Sequence, residues 1–267
     1  MRQFKTLWKG MAAALAGGLL LCACSSEEDS LEIPEGKGLV RIGLSADTGF
    51  STQTKAVDES EYENTANYTI QIWDSKESLV QESKFSEIEN PLTLTTGSYT
   101  LKAFYGEEYK DKPASKEGFY VEGVTNPPFN VESGGSTTVS VTCKPTSAKV
   151  NVVFAEEMAT YFDEYYMTFS TNALGSGTKQ QVNNGEVYYF LVDNKEPVKA
   201  QIALKKKGET AVEFLDRNYT MSPGDAKRIN VSPIAPENPG GSLTLKIEVD
   251  ETVTEVPIDI TIPGDWE

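Results

Sequence analysis

Apolar side chains recur at every second position through much of this chain, and a period of two commits a segment to a half-buried strand. Val40, Ile42 and Leu44 alternate with Arg41 and Gly43, and Tyr68, Ile70 and Ile72 alternate with Thr69 and Gln71. Tyr99, Leu101, Ala103 and Tyr105 follow the turn Thr96-Gly97-Ser98. Leu243, Leu245, Ile247 and Val249 alternate with Thr244, Lys246 and Glu248. Gly, Pro, Asn and Asp punctuate these runs at short intervals, which is the pattern of an all-β sandwich. Only Glu156–Tyr165 (EEMATYFDEY) reads as a short helix.

A weak internal repeat divides the strands into two sets. Phe129-Asn-Val131-Glu-Ser-Gly134 and the strand ending Val139-Ser-Val141 line up with Tyr219-Thr-Met221-Ser-Pro-Gly224 and the strand ending Ile229-Asn-Val231. Upstream, Tyr99-Thr-Leu101-Lys-Ala103 matches Val198-Lys-Ala200-Gln-Ile202 at a similar distance. Each half carries a strand, a loop and a hairpin, so one sandwich apiece is expected, at residues 37–146 and 147–267. The join falls near Lys144-Pro145-Thr146-Ser147. A terminal pair, Leu243–Val249 and Val256–Ile262, is too small to fold alone and is expected to complete the second sandwich or to pair with another molecule.

The start of the chain has a different character. Arg2, Lys5 and Lys9 precede an apolar run from Met11 to Leu21, too short to span a bilayer, which ends in Leu21-Cys22-Ala23-Cys24. This segment resembles a bacterial lipoprotein leader with its lipobox. It implies a signal peptide over residues 1–23, a mature chain beginning at a lipidated Cys24, and membrane attachment through acyl chains. Residues 24–36 are polar and acidic with no apolar period, and read as a flexible tether.

Charge and composition exclude several functions. The net charge is −16, and loss of Arg2, Lys5 and Lys9 with the leader makes the mature chain more acidic still. Such a surface repels nucleic acid and anionic headgroups, so no nucleic-acid partner is expected. With Cys22 removed and Cys24 lipidated, Cys143 is left alone, and a lone thiol cannot staple the fold. It lies in phase with Val139 and Val141, as a small buried hydrophobe does. The chain has no histidine, which removes Ser-His-Asp and Cys-His catalysis and the commonest transition-metal ligand. Glycine-rich phosphate loops following a strand, Gly-x-Ser-x-Gly elbows and Cys-x-x-Cys pairs are missing too. Glu156, Glu157, Asp163 and Glu164 read as the solvated face of the short helix rather than a hydrolytic pair. The expectation is therefore a protein that is not an enzyme, with no catalytic residue, cofactor or metal.

Aromatic side chains are the remaining source of chemistry, because exposed rings stack on the apolar faces of sugars. Most of them, including Phe104, Phe119, Tyr120, Tyr165 and Tyr189, are in strand phase and read as packing. Trp73 departs from this: it follows Ile72 on the face opposite Ile70 and Ile72. It is the one residue singled out for ligand contact, with glycan or protein as the partner.

The lipobox followed by Ser25-Ser26-Glu27-Glu28-Asp29 resembles the export signal of surface lipoproteins of the Bacteroidetes, and Asp29-Ser30-Leu31 is similar to the O-glycosylation motif of that phylum, which makes Ser30 a possible acceptor. Leu92-Thr-Leu94-Thr-Thr-Gly97-Ser-Tyr99-Thr-Leu101 and the stretch Val131 to Val141 resemble a domain-of-unknown-function family of those lipoproteins, related to fimbrillin-like sandwiches. The resemblance implies an all-β fold of two tandem Ig-like or transthyretin-like β-sandwiches and a place on the outer face of an outer membrane. It implies no catalytic residues. Binding or adhesion is the expected role. One alternative is a fimbrial subunit or anchor that self-assembles by strand donation, with Val256–Ile262 as donor and Arg41 as a cleavage point. The other is a glycan-binding accessory similar in layout to the starch-utilisation lipoproteins.

Overall fold

The computed structural model describes residues 33–50, 58–235 and 241–249, and the backbone of 252–261. The lipidation and glycosylation readings, Cys24 and Ser30, lie outside the described residues. Among the described residues the fold is all-β. In the first half the strands are β1 (Lys37–Ala46), β2 (Thr69–Asp74), β3 (Leu79–Lys84), β4 (Leu92–Thr95) and β5 (Gly97–Tyr105). They are followed by β6 (Ala114–Ser115), β7 (Val121–Val124), β8 (Phe129–Val131) and β9 (Ser136–Pro145). The second half has β10 (Ser147–Phe154), β11 (Phe162–Ser170), β12 (Gln180–Val182), β13 (Val187–Leu191) and β14 (Glu196–Lys206). It ends with β15 (Val212–Met221), β16 (Ala226–Ile234), β17 (Ser242–Val249) and β18 (Thr252–Thr261).

Strands of the first half form one sheet in the order β3-β2-β5-β7-β9-β1-β4, with β8 also on β5. The second half gives a sheet β18-β17-β16-β10-β13-β6 and a four-stranded sheet β12-β11-β14-β15. The two halves share a pairing pattern. β1 runs parallel to β9 with Ile42 opposite Val139, and β10 runs parallel to β16 with Val152 opposite Ile229. Each parallel pair has an antiparallel partner on its other side, β4 on β1 and β13 on β10. The turns before β9 and β16 place Gly134 and Gly224 at φ of 73° and 85°, where a side chain would be strained.

Period-two positions fill two cores. Val40, Ile70, Ile72, Leu101 and Val121 pack in the first half, and Val150, Met167, Phe169, Ile202 and Leu245 in the second. Burying each such side chain contributes roughly 1.5–3 kcal/mol. Tyr189 and Ala226 belong to second-half strands yet pack into the first core. β6 does the reverse, leaving the first half to hydrogen-bond along β13, with Ser115 opposite Tyr189.

A buried ion pair lies at this junction. Lys149, fully buried on β10, places its ammonium 2.7 Å from Oε1 of Glu59, in the 3-10 turn Glu59–Tyr62. Tyr189 donates its hydroxyl to the same oxygen at 2.8 Å, and the Phe50 ring centroid lies 5.6 Å from the ammonium.

Three local readings are refined. The predicted helix shrinks to one turn, α1 (Met158–Tyr161), because Tyr165, Met167 and Phe169 alternate and draw the chain from Phe162 onward into β11. Asp163 and Glu164 are thus exposed on a strand, not a helix. Residues 33–36, at the end of the acidic tether, close a turn in which Gly36 bonds Ser133 and Thr96. β18 continues the six-stranded sheet at its edge, antiparallel to β17.

Candidate functional site

Alternation along β2 sends Ile70 and Ile72 into the core and Thr69, Gln71 and Trp73 to the other face. Trp73 is half-buried, and its indole N–H donates to Gln71 Oε1 at 3.3 Å. Gln71 in turn donates from Nε2 to Glu82 on β3 at 2.6 Å. The ring is held by a hydrogen-bonded chain instead of swinging free, which lowers the entropy lost when something stacks on it.

The sheet continues the same face across β5 and β7. Thr100 stands opposite Trp73, Lys102 opposite Gln71 and Phe104 opposite Thr69. Lys102 pairs with Glu122 at 3.1 Å and lies 5.6 Å from the Phe104 ring centroid. Tyr120 donates its hydroxyl to Glu122 at 3.2 Å, and burial, reinforced by that carboxylate, pushes its phenol well above the ordinary tyrosine range. Phe104 and Tyr120 are buried against one another, so of the rings on this face Trp73 is the one offered to solvent.

At the far end of the face, Lys84 stands opposite Thr69 and donates to the Asn67 carbonyl and the Thr69 hydroxyl. Lys84 also lines an open groove of about 760 Å³ with Ser60, Asn64, Asn67, Glu87 and Tyr105. Tyr105 is stacked on Tyr68 and edge-on to Tyr62, which fixes the groove's aromatic wall. Sequence reasoning reached Trp73 through strand phase, and Tyr105 as an aromatic. It missed Glu82, Lys84 and Lys102, because their proximity depends on strand order, and Asn64 and Asn67, which sit in a 3-10 turn with no periodic signature.

The remaining chemistry-bearing positions are inert or solvated. Cys143 is buried with its thiol 3.5 Å from the Ala103 carbonyl, and burial, then Glu122, pushes it up to about 12. A thiol at that value stays protonated and is a poor nucleophile. Glu156, Glu157, Asp163 and Glu164 are all exposed. Among the described residues no three acidic or cysteine side chains gather as metal ligands, and no helix is long and apolar enough to cross a membrane.

Residues 36–264 match the family DUF4493, described as a domain of unknown function. The chain belongs to the DUF4493 family. No curated protein matches this DUF4493 chain. Solved structures similar to it include a candidate cell adhesion protein from Bacteroides eggerthii, 13% identical with a TM-score of 0.45, the match covering 84% of this chain and 97% of that one. A candidate polysaccharide-binding protein from Bacteroides thetaiotaomicron is 9% identical with a TM-score of 0.45, over 82% of this chain and 98% of that one. The fimbrial anchor protein Mfa2 from Porphyromonas gingivalis is 9% identical with a TM-score of 0.41, over 82% and 99%.

Proposed function

We propose that this DUF4493 protein is a non-catalytic binding or adhesion protein, lipid-anchored at Cys24 to a Gram-negative outer membrane and exposed on the cell surface. The lipid holds it, the acidic tether gives reach, and a stiff sandwich presents the contact surface. The reading rests above all on Trp73, a half-buried indole on the outer face of β2, fixed by Gln71 and Glu82. A ring beside an amide and a carboxylate suits a sugar, whose apolar face stacks while its hydroxyls take the polar groups. Trp73→Ala is expected to weaken glycan binding by about 1–3 kcal/mol, roughly fivefold to 150-fold. The test is wild type against the variant on an array of immobilised glycans. Equal binding by the two proteins removes Trp73 from the site.

A second reading, assembly as a fimbrial subunit or anchor, is favoured by β18. Its backbone forms the edge of the six-stranded sheet and pairs with β17. A terminal edge strand of this kind is the element that strand exchange between copies would use.

A further inference from the structure

The outer face of the four-stranded sheet carries a second polar platform. On β11, β14 and β15, Thr168, Gln201 and Asp216 stand side by side in register. Gln201 donates to Asp216 at 2.6 Å and accepts from the Lys179 ammonium at 2.5 Å, so the row is ordered before any ligand arrives. Two residues along, Tyr166, Ala203 and Phe214 form the next row of the same face. Phe214 is 51% exposed, whereas Ala203 between the two rings is fully buried. In the other direction Ser170, Lys199 and Asn218 form a third row. A cleft of about 350 Å³ opens over the polar rows, lined by Thr168, Lys179, Lys199, Gln201, Asp216 and Asn218. That volume is enough for a ligand of one or two sugar rings.

Charge narrows the occupant. In a chain of net charge −16, this cleft has two ammonium groups against one carboxylate, and that carboxylate is already engaged by Gln201. Lys179 is bonded to a neutral amide, and Lys199 is exposed. Arg217, across from Ala200 on β15, also lines the cleft; its Nη1 donates to the Asp216 carbonyl at 2.6 Å, while Nε and Nη2 are buried without a partner, so it adds a third positive charge. The Thr168 hydroxyl is likewise buried without a partner. By contrast, the Tyr105 groove sets Lys84 against Glu61 and Glu87.

We infer that this face is a second binding site and that it takes an acidic saccharide, a sugar bearing a carboxylate. The carboxylate sits between Lys179 and Lys199, the ring hydroxyls meet Gln201, Asp216 and Asn218, and an adjoining sugar packs on Phe214. A surface of amides and single charges on rigid strands, with one exposed ring, fits a hydroxyl-rich chain better than a protein surface, which needs a larger apolar centre. The choice of a saccharide rests on the reading of the protein as a glycan binder, but the site itself stands on different residues from Trp73.

Titration of the intact protein with oligogalacturonate in a calorimeter tests this. Wild type is expected to bind with an affinity that falls as salt rises, and Lys179→Gln/Lys199→Gln to bind about tenfold or more weakly. Phe214→Ser is expected to weaken binding as well, and Trp73→Ala to leave it unchanged. All four positions are at least half-exposed or on the outer face, so the variants keep the cores intact. Absence of wild-type binding, unchanged affinity in the lysine double variant, or equal affinity for poly-glutamate overturns the assignment. A glycan array insensitive to Trp73→Ala, with oligogalacturonate binding retained, removes the Trp73 reading and leaves this site standing.

Discussion

Removing the Glu59 carboxylate from beneath Lys149 should destabilise the fold more than any surface charge change. Lys149 is fully buried, its side chain 1% exposed, and that of Glu59 is 13% exposed. Their 2.7 Å contact crosses from a 3-10 turn of the first half to a central strand of the second. Glu59→Ala removes this carboxylate from a buried ammonium, and breaking a buried pair from one side costs about 3–5 kcal/mol. It also removes the hydrogen bond that Tyr189 donates to Glu59. With a urea m-value of about 3 kcal/mol/M, the unfolding midpoint should fall by roughly 1–1.5 M. Lys149→Met keeps the length of the side chain without its charge, and leaves Glu59 its bond from Tyr189. Its cost should be smaller, about 1–2 kcal/mol. The double variant should cost less than the sum of the two single variants, because each single change already removes the contact between Lys149 and Glu59. Urea titrations of the four proteins, followed by circular dichroism, measure this. A Glu59→Ala cost under about 1 kcal/mol, or strictly additive single effects, would refute the argument that this pair holds the junction.

Two further outcomes are expected. Cys24→Ala should leave an unprocessed precursor that takes up no clickable palmitate, and equal label in variant and wild type would remove the lipid anchor. Alkaline titration should unfold the protein above pH 10. Burial raises Tyr62 and Tyr219 to about 12 in the folded chain, while the unfolded chain ionises near 10. Their stabilisation is therefore complete below pH 10 and is lost as the pH climbs through 12. Circular dichroism that stays flat to pH 12 would contradict this.

Much of the fold was legible because strands buried on one face write their phase into the sequence. Ile70 and Ile72 against Trp73, and Leu243, Leu245 and Ile247 against their polar neighbours, gave both the strand and its buried side. Strand phase failed where both faces are buried. Lys149 alternates with Ala148 and Val150 as a solvent-facing residue would, yet the other half of the molecule covers it. Its partner Glu59 lies 90 residues earlier, beyond the reach of any local pattern. β6, two residues long, has no periodicity to read at all. The Trp73 face was half legible: Gln71 shares the ring's phase on β2, but Glu82 and Lys102 arrive from neighbouring strands whose order no local run specifies. The platform on the four-stranded sheet was hidden for the same reason, since Lys179, Gln201 and Asp216 come from three separate segments.

A stand-alone surface binder has strands that close on themselves. Native outer membranes, boiled and unboiled, run on a denaturing gel and probed with an antibody to residues 147–267, distinguish this from strand exchange. A single monomer band in both lanes is the predicted result. A ladder that collapses on boiling would mean that copies exchange strands, and would contradict the stand-alone reading in favour of fimbrial assembly.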